Sequence, residues 1–156
     1  GEGAFMPVDV KDAFLRALAE SVYDHPGNAE IAARKGVLAM AGRTLETMFA
    51  YDFYTENLLC VINNVIGMSQ STHSLLPESR IIPSLVRLAT LHFGDRGGCD
   101  IATAALANLS NNQAMRSELI KAGAVDALAQ GLMQYPPEGE GGGGGGGGGP
   151  PGFGWN

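Results

Sequence analysis

Positive charge is scarce in this chain. Ten Lys and Arg face sixteen Asp and Glu, and the net charge is −6 at neutral pH. Sequence-independent binding to nucleic acid needs clustered cations to neutralise phosphates, so this balance argues against that class. Long apolar runs are missing too: no stretch approaches the roughly 20 apolar residues that cross a bilayer as a helix. Cys60 and Cys99 are the two cysteines, at no metal-ligand spacing. They read as reduced thiols of an intracellular protein. Aromatic residues make up only 7%, so a core must be assembled mainly from Ala, Leu, Ile and Val. No segment alternates apolar and polar residues between turn signals, the usual signature of a half-buried strand. The opening GEGAFMPVDV lacks the basic and apolar regions of a secretory leader and begins without Met. A fragment or a processed product is therefore expected.

Against these absences stands a hydrophobic content of 45% in 156 residues, enough for one domain with a packed core. The composition breaks near Pro137, where the chain continues as EGEGGGGGGGGGPPGFGWN. Glycine loses more backbone entropy on ordering than any other residue and brings no side chain to bury. Residues 138–156 are thus expected to form a flexible, low-complexity tether, with Phe153 and Trp155 as its large apolar groups. Residues 1–8 form a short flank, and 9–137 carry the helical pattern.

That pattern repeats. FLRALAES (Phe14–Ser21), LCVINNVI (Leu59–Ile66) and TAALANLS (Thr103–Ser110) align Leu18, Ile62 and Leu106, each 44 residues from the next. A second anchor, in KGVLAMA, SRIIPSL and AGAVDAL, aligns Gly36, Arg80 and Gly123 at spacings of 44 and 43. Two anchors with one period make an internal repeat the governing feature. Each unit reads as a leading helix, a polar break (DHPGN, SQSTHS or NNQ), a short helix, and a longer helix. Gly36 and Gly123 suit the left-handed conformation that closes a helix. Ile82, Leu85 and Leu88, and likewise Val125, Leu128 and Leu132, fall at the spacing of one apolar helical face. Asn28 and Asn112 stand where N-caps are wanted, and Asp9 and Asp100 are expected to precede leading helices. Leu18, Ile62 and Leu106 are expected to be buried as equivalent core positions.

The pattern resembles the armadillo repeat family, most closely in AALANLSNNQAMRSELIKAGAVDALAQGL. The resemblance spans roughly Asp9 to Tyr135, as three degenerate repeats entered at what the family treats as its third helix. The middle unit departs from it: Arg80 replaces the glycine, and Pro77 falls inside the short helix, where it disfavours helix before it. A bent or extended loop is the expectation there. The resemblance implies an all-α, right-handed solenoid whose third helices line a concave groove. It also implies further repeats in a longer parent, or a partner covering the exposed end. Family members that bind extended peptides use a ladder of Asn side chains, because a carboxamide offers both donor and acceptor to a peptide backbone. Carried onto this chain, the ladder falls on Glu20, Asn64 and Asn108, with Asn63 beside it. One turn earlier, where nuclear-import receptors carry Trp, stand Arg16, Cys60 and Ala104, which argues against that mode. Two readings remain for Asn64 and Asn108: they hold a partner's backbone, or they cap and bridge neighbouring helices.

Other chemistry is thin. His25, His73 and His92 lie in separate breaks or helix ends at no ligand spacing, and read as surface or loop residues. SQSTHS places serines near His73 without a nucleophile elbow. GDRGGC lacks the order of a phosphate loop and reads as a turn. Asp52 lies within the aromatic run FAYDFY (Phe49–Tyr54) and Glu56 just beyond it; the run reads either as an elongated helix or as a partner-facing insertion. Met40, Met48, Met68 and Met133 read as core gap-fillers. Nothing points to a metal or cofactor. The expected function is a non-catalytic protein–protein interaction or scaffolding module, taking a protein partner as an extended segment or docking in a larger intracellular assembly. The alternative is a regulatory arm of, or accessory to, an enzyme whose catalytic part lies outside this chain. A cytoplasmic setting is expected, with a cytoskeletal or ciliary assembly or the nucleus left open.

Overall fold

A computed structural model describes residues 6–48, 53–91 and 96–134, and all regular structure among them is helical. The first unit comprises α1 (Val8–Val22), α2 (Pro26–Arg34) and α3 (Val37–Glu46). The second comprises α4 (Phe53–Met68), the 3-10 segment η1 (Gln70–Leu75), α5 (Leu76–Ser79) and α6 (Ile81–Leu91). The third comprises α7 (Arg96–Ser110), α8 (Gln113–Lys121) and α9 (Ala124–Gln134). Leading helices pack on one another in chain order, α1 on α4 and α4 on α7, and the closing helices do the same, α3 on α6 and α6 on α9. No helix among the described residues is long and apolar enough to cross a membrane.

Size complementarity explains how the leading helices meet. Leu58, Leu59, Ile62 and Ile66 give α4 a bulky buried surface, whereas α7 answers with Ala102 and Ala105 beside Leu106 and Leu109. Small residues on one helix let large ones on its neighbour fill the shared space at native packing density. The small-residue helix between Ala102 and Leu109 is thus the counterpart of a bulky one.

Each junction between short and closing helix needs one residue with positive φ. Gly36 (+85°) and Gly123 (+78°) supply it, as their type suggests. In the middle unit Arg80 takes the same conformation (+58°) despite its Cβ, so the repeat geometry overrides an intrinsic preference. Nor does the middle unit lose its short helix to a loop. Pro77 sits in the first turn of α5, where its missing N–H costs nothing, and η1 supplies the preceding turns.

Several other expectations need correction. Ile62 and Leu106 are fully buried, but Leu18 is only half-buried, because no helix among the described residues covers the outer side of α1; Leu15, Ala19 and Val22 form the core there. Ile82, Leu85 and Leu88 are buried as expected, yet Val125, Leu128 and Leu132 are exposed, since α9 buries Ala124 and Ala127 instead. Helix α2 is capped by His25, whose Nδ1 accepts from the Asn28 backbone N–H at 3.1 Å. Asn28 instead donates its Nδ2 to the Ser21 carbonyl at 2.7 Å, tying α2 to α1. Asn112 is the cap expected of it, accepting from Ala114 N at 3.0 Å. Asp9 and Asp100 lie inside α1 and α7 rather than before them, and the turn expected at GDRGGC is helical from Arg96 onward. Phe53 and Tyr54 open α4. Met40, Met48 and Met68 pack against the core, whereas Met133 is exposed.

His73 is neither a surface nor a loop residue. It is buried, with Nε2 2.9 Å from the Ile66 carbonyl and Nδ1 3.0 Å from Asn112 Nδ2. Because Asn112 Oδ1 is committed to Ala114 N, its Nδ2 must be the donor. His73 Nδ1 therefore accepts, and the ring proton sits on Nε2, donated to Ile66. His92, Asp52, most of FAYDFY, and the tail with Phe153 and Trp155 lie outside the described residues.

Candidate partner-binding face

The residues singled out from the repeat all lie on the leading helices α1, α4 and α7. Glu20 and Arg16 are exposed on α1, and the Arg16 guanidinium lies 3.4 Å from Asp12 one turn earlier. Cys60 and Asn64 are half-buried on α4, Asn63 is buried, and Asn108 is half-buried on α7.

Among the described residues, side-chain bonds cross from one leading helix to the next. Asn57 Nδ2 donates to Asp12 Oδ1 at 2.6 Å, Asn64 Nδ2 donates to the Ala19 carbonyl at 3.0 Å, and Asn108 Nδ2 donates to Asn63 Oδ1 at 2.9 Å. All three span 45 residues. The repeat is 44 in this region, so every donor reaches the residue just before its own equivalent. Helical side chains lean toward the N-terminus and cover the surface about one position behind their own Cα, which accounts for the extra residue. Gly67 makes room for the last bond, because a Cβ there would come within 3.1 Å of Asn108 Nδ2.

Bridging between helices is therefore one role that Asn64 and Asn108 fill, and it uses one N–H of each. Their Oδ1 atoms have no partner among the described residues, nor does Nδ2 of Asn63, although Asn63 is only 8% exposed. A buried amide with a spare donor is costly unless something accepts from it.

Charge on this face is mostly negative. Burial, then Glu56, then Glu20, together push the Cys60 thiol up to about 11. Two carboxylates on successive helices thus bear on one point between α1 and α4. Such a thiol stays protonated at neutral pH, which makes it a poor nucleophile and a poor metal ligand. No group of three or more His, Cys, Asp or Glu among the described residues is placed to hold a metal ion. Reasoning from sequence missed Asp12, Asn57 and Glu56 as members of this face. A search for polar pairs at one residue beyond the repeat period finds the first two. Comparison with family models, with curated proteins and with solved structures finds no match to this chain.

Proposed function

We propose that residues 9–137 form an armadillo-like right-handed α-solenoid and that the chain is a non-catalytic protein-interaction module. Its partner is an extended protein segment carrying Lys or Arg, laid across α1, α4 and α7. One observation carries the reading: three bridges at a single 45-residue step join the leading helices into a continuous face. That face holds the spare amide groups of Asn63, Asn64 and Asn108 beside Glu20 and Glu56. Carboxamides suit a peptide backbone because they accept and donate without regard to its side chains. The carboxylates supply the preference for cations, and the −6 net charge steers a basic segment inward. The reading carries with it an intracellular, cytoplasmic setting in which Cys60 remains a thiol.

Stacked helices lie about 10 Å apart, and an extended peptide advances about 3.3 Å per residue. Successive units therefore meet the partner about three residues apart. Selection of a random peptide library against the protein tests this. The expected output is extended peptides with cations at that separation, whose binding is abolished by Glu20→Lys with Glu56→Lys. Asn64→Ala with Asn108→Ala should weaken the same peptides by about 1–3 kcal/mol while helicity persists. Peptides that bind the charge-reversed chain equally well place the site elsewhere.

A further inference from the structure

The bridge between α4 and α7 leaves two amide groups over. Asn108 Nδ2 donates to Asn63 Oδ1 at 2.9 Å, which commits one donor of Asn108 and the acceptor of Asn63. Asn63 Nδ2 and Asn108 Oδ1 have no partner among the described residues. These groups lie where α4 packs on α7, at an interior junction, so they do not arise from where the described residues end. They also differ in depth: Asn63 is 8% exposed, whereas Asn108 is half-buried. An N–H that deep is costly without an acceptor. The α1–α4 junction is built otherwise. Its bridging donors, Asn57 and Asn64, are half-buried, and their acceptors are the Asp12 carboxylate and the Ala19 carbonyl.

We propose that the α4–α7 junction is the subsite that reads the partner's sequence, and that it takes a primary carboxamide, the side chain of Gln or Asn. The proposal rests on the peptide-binding face described above and adds specificity to it. A main chain laid across the helices meets half-buried groups such as Asn64 and Asn108. A donor as deep as that of Asn63 is met by a side chain reaching down from that main chain. Such a side chain must bring an acceptor for Asn63 Nδ2 and a donor for Asn108 Oδ1, and a primary carboxamide carries both on one edge. Lys and Arg bring donors alone and leave Asn63 unpaired. Asp and Glu bring acceptors alone, set against Asn108 Oδ1 on a face already negative from Glu20 and Glu56. Ser and Thr carry both functions on a side chain too short to descend that far. Glu20 and Glu56 bear on Cys60, at the α1–α4 junction one unit away. The carboxamide therefore stands about three residues from the cation that those carboxylates prefer.

Selection by the full chain from a random peptide library with one Lys fixed at its centre tests this. The expected output carries Gln or Asn about three residues to one side of that Lys. Changing that Gln to Glu or to Met in a selected peptide should weaken binding at least about tenfold, because a buried donor is left unpaired. Asn63→Asp gives a second readout. Asp keeps the oxygen to which Asn108 Nδ2 donates and loses the N–H, so the residue preferred at that position should change from Gln to Lys or Arg while helicity persists. An Asn63 that serves only to bridge the helices leaves the preference as it was, and that result overturns the proposal. Should Asn63→Asp fail to fold, the altered peptides on the wild-type chain decide alone: a Gln→Met peptide that binds as well as its parent overturns the proposal. Selected peptides that lose binding to the chain carrying Glu20→Lys and Glu56→Lys, yet hold no carboxamide at this spacing, reject this subsite and leave the peptide face standing. Peptides that bind the charge-reversed chain equally well reject the face and the subsite with it.

Discussion

Leu58, Ile62 and Ile66 of the middle unit are sealed from solvent, while Phe14 of the first unit and Leu132 of the third stand largely in it. Yet the middle unit departs furthest from the repeat, with Arg80 at the glycine position and a 3-10 segment for half of its short helix. The outer units keep the glycines and the regular short helices. Burial along these packed helices is thus set by having neighbouring helices on both sides, and local conformity counts for less. Irregularity is tolerated where the surrounding packing is strongest, because strain of order 1–2 kcal/mol at one residue is small beside the apolar surface covered there.

The widest gap should appear on truncating equivalent side chains. Ile62→Ala and Leu106→Ala should each cost about 2–5 kcal/mol in denaturant unfolding, the range for buried aliphatic residues. Leu132→Ala should cost less than about 0.5 kcal/mol, as exposed positions do. Similar losses at all three positions would erase the contrast between inside and end.

A smaller effect is expected where the middle and third units are joined by polar groups. His73→Leu leaves the Ile66 carbonyl and the Asn112 amide without their partner, at a cost of about 1–3 kcal/mol. A double-mutant cycle with Asn112→Ala should show coupling, since one bond joins the two side chains. Additive losses would mean that the two units are not linked through this histidine.

Smaller still is the effect at the three positive-φ junctions. Arg80→Gly relieves a left-handed arginine at the expense of an exposed contact, 3.1 Å, to Glu46. Surface pairs of that kind contribute little, so a net gain of about 0.5–1 kcal/mol is expected. Gly123→Ala should lose a comparable amount, because Ala strains where φ is positive. Opposite signs at equivalent positions are the outcome to look for in thermal or denaturant unfolding.

Helical class, repeat period and glycine junctions were legible in the sequence because each is written in local chemistry: apolar spacing, polar breaks, and a residue type that tolerates positive φ. Burial at the ends was not. Val125, Leu128 and Leu132 carry the same helical periodicity as Ile82, Leu85 and Leu88, yet among the described residues no helix follows α9 to cover them. Of the site, the repeat alignment placed Glu20, Asn64 and Asn108 on matching helices. It did not show that their amides lean one residue back onto the preceding helix, since that offset arises from side-chain direction in the packed state. His73 escaped for a similar reason, as its two hydrogen-bond partners come from α4 and from the cap of α8.

Cys60 offers the finest probe of the contact between the outer and middle units, because one of the carboxylates acting on it belongs to each. Burial and the charges of Glu56 and Glu20 raise the thiol from its ordinary 9.0 to about 11 in the folded chain. Below pH 9 the thiol is protonated whether the chain is folded or not, and the group contributes no pH dependence. Between about 9 and 11 the unfolded chain ionises it while the folded chain does not, so protons are released on unfolding and stability falls as pH rises. The decline should appear in a Cys99→Ser background and vanish with Cys60→Ser, followed as denaturation midpoint against pH. Thiolate absorbance of the folded protein should rise with a midpoint near 11. Glu56→Gln should lower that midpoint more than Glu20→Gln does, following the order of their influence. A midpoint indifferent to Glu20 would separate α1 from α4 at this position, and with it the first unit's share of the face.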